Sequence, residues 1–159
     1  MIARWSAASW SKVAIRDTVN LMNVATEPTY AIPMDQTLDG VLGFELLEMG
    51  ADRATARFEV QNRHRQAFGI VHGGVYAALA EGLASVATYR QVVDDGKLAV
   101  GSSNFTSFLR PVNEGVISAE ARAIHSGRTS WVWEVEFRNA DGKRCAMSRV
   151  TLAVIPAPA

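Results

Sequence analysis

The stretch Gly69-Ile70-Val71-His72-Gly73-Gly74-Val75-Tyr76-Ala77-Ala78-Leu79-Ala80-Glu81-Gly82-Leu83-Ala84-Ser85-Val86-Ala87 decides how this chain is read. Val75, Leu79, Leu83 and Val86 recur at helical spacing, which predicts one helix covered on most faces. Nearly all its other residues are Ala, Gly or Ser, so it can lie close against a sheet. Between His72 and Arg90 the only charged residue is Glu81. A carboxylate in a buried helix is costly unless something pairs with it or uses it. Its neighbours at three and four residues are Ala77, Ala78, Ala84 and Ser85. An ion-paired structural Glu would have Arg or Lys at that spacing. The pattern points instead to a functional carboxylate in a dish of small side chains, with the Ser85 hydroxyl beside it. Gly73-Gly74 opens the helix with bare backbone N–H groups, a site that favours negative charge.

The chain has 159 residues, enough for one domain with a core and too few for two. Sixteen basic and sixteen acidic residues balance to a formal net charge of +0, which argues against a nucleic-acid or membrane-surface role. The single cysteine, Cys145, allows no intramolecular disulfide and fits a reducing, cytoplasmic compartment as a small core residue. No apolar run reaches transmembrane length, and the N-terminus lacks the apolar core of a secretory signal.

Residues 1–36 are read as an N-terminal appendage that packs through Trp5 and Trp10, with Pro28 and Pro33 breaking it, and residues 37–156 as the domain proper. Leu38 to Leu42 reads as a helical turn before a first strand, Phe44 to Met49. Arg53 to Val60 alternates, with Ala54, Ala56, Phe58 and Val60 on one face, and pairs with the first strand as a hairpin. A polar loop, Gln61 to Gly69, leads to the helix. Four alternating segments follow: Leu98 to Leu109, Val116 to Ile124, Ser130 to Phe137 and Arg144 to Ile155. Their short turns fit antiparallel neighbours, and Trp131, Trp133, Val135 and Phe137 share a core face. The expected class is α+β, a curved antiparallel sheet of about six strands around one long central helix.

This order of elements, with His72-Gly73-Gly74 followed by Glu81 and Ser85 on the helix, resembles the hotdog-fold acyl-CoA thioesterases of the hydroxybenzoyl-CoA and phenylacetate-pathway branch. The resemblance runs from about Leu38 to Ile155, and Arg110-Pro111 and Gly127-Arg128-Thr129 also fit it. It implies that Glu81 is the catalytic carboxylate, attacking the thioester or activating water. It implies that the Gly73 N–H forms the oxyanion site, that Gln66 orients the carbonyl or water, and that His72 assists. Ser85 falls at a Ser/Thr position near Glu81, and Arg110, Arg128 and Thr129 fall where relatives touch the CoA phosphates. The implied partners are an acyl-CoA substrate and copies of the same chain, as a homodimer paired into a homotetramer. The appendage is outside the family pattern.

Thioester hydrolysis builds negative charge on the carbonyl oxygen and needs a carboxylate active near neutral pH, which suits these residues. His64, His72 and His125 have no paired ligand spacing, so neither a metal nor another cofactor is expected, and Ser85 follows no nucleophile-elbow pattern. Two rival readings are a hotdog enoyl-CoA hydratase or dehydratase, detectable by water addition to an enoyl-CoA, and a non-catalytic acyl-CoA-binding module, which would release no free thiol.

Overall fold

The computed structural model describes residues 32–158; the expectations placed on Trp5, Trp10 and the rest of 1–31 lie outside the described residues. After a 3-10 turn, helix α1 spans Leu38–Leu42. Thr37 caps it, accepting a hydrogen bond from the Gly40 N–H, and Gly43 ends it at φ +66°, a left-handed value that suits glycine. Strands β1 (Glu45–Met49) and β2 (Arg53–Glu59) form the expected hairpin. Helix α2 spans Gly73–Val92, and β3 (Lys97–Phe108), β4 (Val116–Ser126), β5 (Ser130–Arg138) and β6 (Arg144–Pro156) follow. Every pairing is antiparallel, in the order β1-β2-β4-β5-β6-β3. The chain thus crosses the sheet through α2 and lays β3 on the far edge.

The core lies between α2 and the concave face. The alternation in β2, β4 and β5 buries Ala54, Ala56 and Phe58, then Ile117, Ala119 and Ala121, then Trp133, Val135 and Phe137. Large side chains face small ones across the strands: Phe137 pairs with Ala119 on one side and Ala146 on the other. Burying each large apolar side chain is worth about 1.5–3 kcal/mol. The indole N–H of Trp133 donates to Thr88 Oγ1 at 2.8 Å, which satisfies both buried groups and ties the sheet to α2. Cys145 is fully buried, as expected. The convex face carries ion pairs between neighbouring strands, among them Arg57–Glu45 at 2.7 Å and Arg149–Glu134 at 2.6 Å, each worth little at the surface. Glu120 is the exception: 5% exposed, it is bracketed by Arg53 and Arg122. Among the described residues no helix is long and apolar enough to cross a membrane.

The helix begins at Gly73, as the Gly73-Gly74 pair predicts, after Gly69 turns at φ +83° and the Val71 N–H is taken by the Val112 carbonyl at 2.7 Å. One expectation changes. Glu81 is exposed rather than buried, because β3 is an edge strand and, among the described residues, no further strand covers that side of α2.

Candidate active site

The loop 61–72 is fixed by its backbone. The Gln66 N–H donates to the Ile70 carbonyl at 2.8 Å, and the Gly69 N–H to the Gln66 carbonyl at 2.9 Å. His64, almost fully buried, accepts from the Gln61 N–H at Nδ1 (2.9 Å), so Nε2 carries the ring proton and donates it to the Leu42 carbonyl at 2.7 Å. Its own carbonyl accepts from the His72 N–H at 2.8 Å. One histidine therefore joins the C-terminal end of α1 to the residue that starts α2.

His72 is the N-cap of α2. Its Nδ1 accepts from the Gly74 N–H at 2.9 Å. That bond uses one of the first-turn donors and leaves the Gly73 N–H, which has no intrahelical acceptor. The role the structure gives His72 is thus to shape the helix terminus. Gly73 has an ordinary backbone conformation, and a Cβ there would lie 2.6 Å from Cζ of Phe108, a ring that would have to turn aside. A cavity of about 560 Å³ opens at this end, lined by Gln66, His72, Gly73, Tyr76, Phe108 and Arg110 among others. Tyr76 and Cys145 lie beneath. Burial pushes both the Tyr76 hydroxyl and the Cys145 thiol up, so neither ionises near neutral pH and Cys145 is no thiolate nucleophile.

Glu81 lies eight residues further along α2, and Ser85 one turn beyond it. At 1.5 Å per residue the Gly73 and Glu81 backbones stand about 12 Å apart along the axis. The Glu81 carboxylate lies over Gly101 of β3: its Oε1 is 2.6 Å from where a Cβ of residue 101 would be. The carboxylate of Asp39 rests on the next helix residue, with Oδ2 2.7 Å from a Cβ built on Gly82. Burial and, second, the charge of Glu81 raise the Asp39 pKa above its ordinary 3.8. Sequence reasoning missed Asp39, whose place in the first turn of α1 looks like ordinary capping. It also missed Gly101, although a glycine inside an alternating strand is a signal of close approach.

Arg110 lines the cavity, and its backbone N–H donates to the Cys145 carbonyl at 3.1 Å. Arg128 and Thr129 sit on the exposed β4–β5 hairpin, where the Thr129 carbonyl accepts from the Val154 N–H at 2.9 Å. Cys145 and Val154 are nine residues apart on β6, about 30 Å at 3.3 Å per residue. Within one chain, then, Gln66, His72, Gly73 and Arg110 come together, whereas Glu81 with Ser85 and Arg128 with Thr129 form separate groups.

A six-stranded antiparallel sheet wrapped around one long helix is the hotdog arrangement. Known proteins place the chain further. Residues 68–146 match the thioesterase superfamily. The proofreading thioesterase EntH of Cronobacter turicensis is 39% identical over 119 residues, covering 75% of this chain and 86% of that protein. Among solved structures, thioesterase HI1161 from Haemophilus influenzae superposes with a TM-score of 0.71 at 38% identity, over 76% of this chain and 84% of that one. Thioesterase PA1618 from Pseudomonas aeruginosa, solved as a mutant, gives 0.74 at 35%, over 77% and 88%. The chain belongs to the thioesterase superfamily and is a thioester hydrolase.

Proposed function

We propose that this protein is a cytoplasmic acyl-CoA thioesterase whose active site is shared between two copies of the chain, dimers that pair further into tetramers. The observation that carries this reading is the spacing of Gly73 and Glu81. Reacting atoms must come within about 3–3.5 Å, and a Glu side chain cannot bridge about 12 Å back to its own helix terminus. Two helices antiparallel about a two-fold axis bring Gly73 of one beside Glu81 of the other, twice per dimer. The same operation unites Arg110 of one copy with Arg128 and Thr129 of the other, the second separation that one chain cannot close. β3 supports it too. It is a long edge strand exposing Val100, Phe105 and Phe108, the kind of edge that pairs with another chain.

In this site the thioester carbonyl oxygen accepts a hydrogen bond from the Gly73 N–H, where negative charge develops as the carbon becomes tetrahedral. Gln66 orients the carbonyl or the water. Glu81 attacks the carbonyl carbon to give an anhydride that water then opens, or takes a proton from water as it attacks; Ser85 stands beside it. In both routes the C–S bond breaks, the acid is freed and CoA leaves as its thiol. Arg110, Arg128 and Thr129 hold the nucleotide phosphates, remote from the reacting atoms, so they contribute to KM more than to kcat.

The test is thiol release from benzoyl-, phenylacetyl- and hexadecanoyl-CoA, followed by complementation on the ester cleaved fastest. Glu81→Ala and Gly73→Pro proteins are mixed under conditions of confirmed subunit exchange. Proline is tolerated at the first helical position and removes the N–H, while the exposed Phe108 ring can turn aside. Activity is expected to return, because one of the two sites in each mixed dimer keeps both groups. No recovery after exchange, or an active monomer, overturns the shared site; no thiol release from any ester overturns the acyl-CoA assignment.

A further inference from the structure

Gly101 breaks the alternation of β3, and its backbone does not explain why. Its φ is not among the positive values in the chain, so no left-handed conformation demands glycine. Space does. A Cβ at this position would meet Oε1 of Glu81 at 2.6 Å and Cδ at 3.1 Å. The pairing of β3 with β6 also slips here: Gly101 faces Leu152 and Ser103 faces Thr151, which leaves Ser102 as a bulge. A bulge re-aims the strand, and this one does so opposite the carboxylate.

Helix and strand are bolted together nearby. The Asn104 side-chain amide donates to the Ala77 carbonyl at 2.9 Å, one helical turn before Glu81 and three residues after Gly101. Asn104 Oδ1 in turn accepts from the Thr106 hydroxyl, which is hydrogen-bonded to Ser148 of β6. The backbones of α2 and β3 are therefore not free to part when a side chain is added at 101. The end of the Glu81 side chain is the part that can give way, since Glu81 is exposed and forms no ion pair among the described residues.

We infer that Gly101 and the bulge at Ser102 are the positioning device for Glu81: the bare strand surface lets the carboxylate lie against β3. This rests on the reading of Glu81 as the catalytic carboxylate. A methyl at 101 forces an oxygen now 2.6 Å away out to 3.4 Å or beyond, into another rotamer. A misplacement of about 1 Å at a reacting group can cost on the order of 100-fold in rate.

The experiment compares wild type, Gly101→Ala, Glu81→Asp and the double variant on the acyl-CoA ester cleaved fastest, together with their melting temperatures and a crystal structure of Gly101→Ala. Gly101→Ala is expected to melt at or above the wild-type temperature, as Gly→Ala does in a strand interior. Its kcat should fall about 10- to 100-fold with KM nearly unchanged, and the Glu81 carboxylate should leave its place while both backbones stay. In the Glu81→Asp background the carboxylate ends one methylene short of the 2.6 Å contact, so the same change should cost less than about threefold. Wild-type kcat in Gly101→Ala, an equal loss in both backgrounds, or an unmoved Glu81 carboxylate overturns the inference. Full turnover in a Glu81→Ala protein overturns the catalytic reading instead, and the crystal structure still decides whether Gly101 places the side chain.

Discussion

At the N-terminus of α2 the backbone is held from several sides: His72 caps it, His64 binds the His72 N–H, and Val112 takes the Val71 N–H. Eight residues on, Glu81 reaches solvent with no ion pair among the described residues, lying over one glycine and next to another that carries the Asp39 carboxylate. The donor end is placed by bonds and the carboxylate by missing side chains. Bonds tolerate a small intrusion because several others keep the geometry. A carboxylate placed by empty space has nothing to restore it once that space is filled.

The largest effect should come from removing the carboxylate. Glu81→Ala is expected to lower kcat at least about 100-fold, as loss of a nucleophile or principal base does. Because the side chain is exposed and its charge stands against that of Asp39, the variant should melt at or slightly above the wild-type temperature. Near-wild-type turnover in a folded Glu81→Ala protein would remove the midpoint of α2 from the chemistry altogether.

A smaller loss is expected at the other end. In Gly73→Ala the new methyl meets the Phe108 ring at 2.6–2.9 Å, but that ring is 60% exposed and free to swing. The N–H stays on its helix. Deleting an oxyanion donor costs about 100- to 1,000-fold in kcat, so disturbing its surroundings should cost less, about tenfold. Steady-state kinetics of Gly73→Ala and of Gly73→Ala with Phe108→Ala check this, the second change making room for the first. If Gly73→Ala is as damaging as Glu81→Ala and is not relieved by the smaller residue 108, the contrast between the two ends is false.

The sequence made some of this plain and hid the rest for identifiable reasons. The period-two patterns around Phe58, Ile117 and Val135 fix the faces of β2, β4 and β5, because a one-residue slip would expose every core side chain. His72-Gly73-Gly74 marks the helix start once its cap is formed. Glu81 was expected to be buried, because helix composition cannot say which sheet neighbour is an edge. Asp39 and Gly101 reach Glu81 across 42 and 20 residues of chain, beyond any local pattern.

The smallest effect concerns stability at Asp39. Burial first, and the charge of Glu81 second, raise its carboxyl pKa above 3.8. Between 3.8 and the higher folded value, the folded protein therefore binds more protons at this residue than the unfolded chain does. Stability must fall as pH rises through that window and stay lowered above it, where the carboxylate is charged in both states. Asp39→Asn keeps the shape and removes the charge. The variant should melt higher than wild type at pH 7, and the difference should shrink as pH falls toward 3.8, where wild-type Asp39 is itself protonated. Thermal melts of both proteins across pH 4–8 read this directly. A difference independent of pH, or a wild type more stable than Asp39→Asn at pH 7, would mean that Asp39 has a compensating partner and that the midpoint of α2 is held by bonds after all.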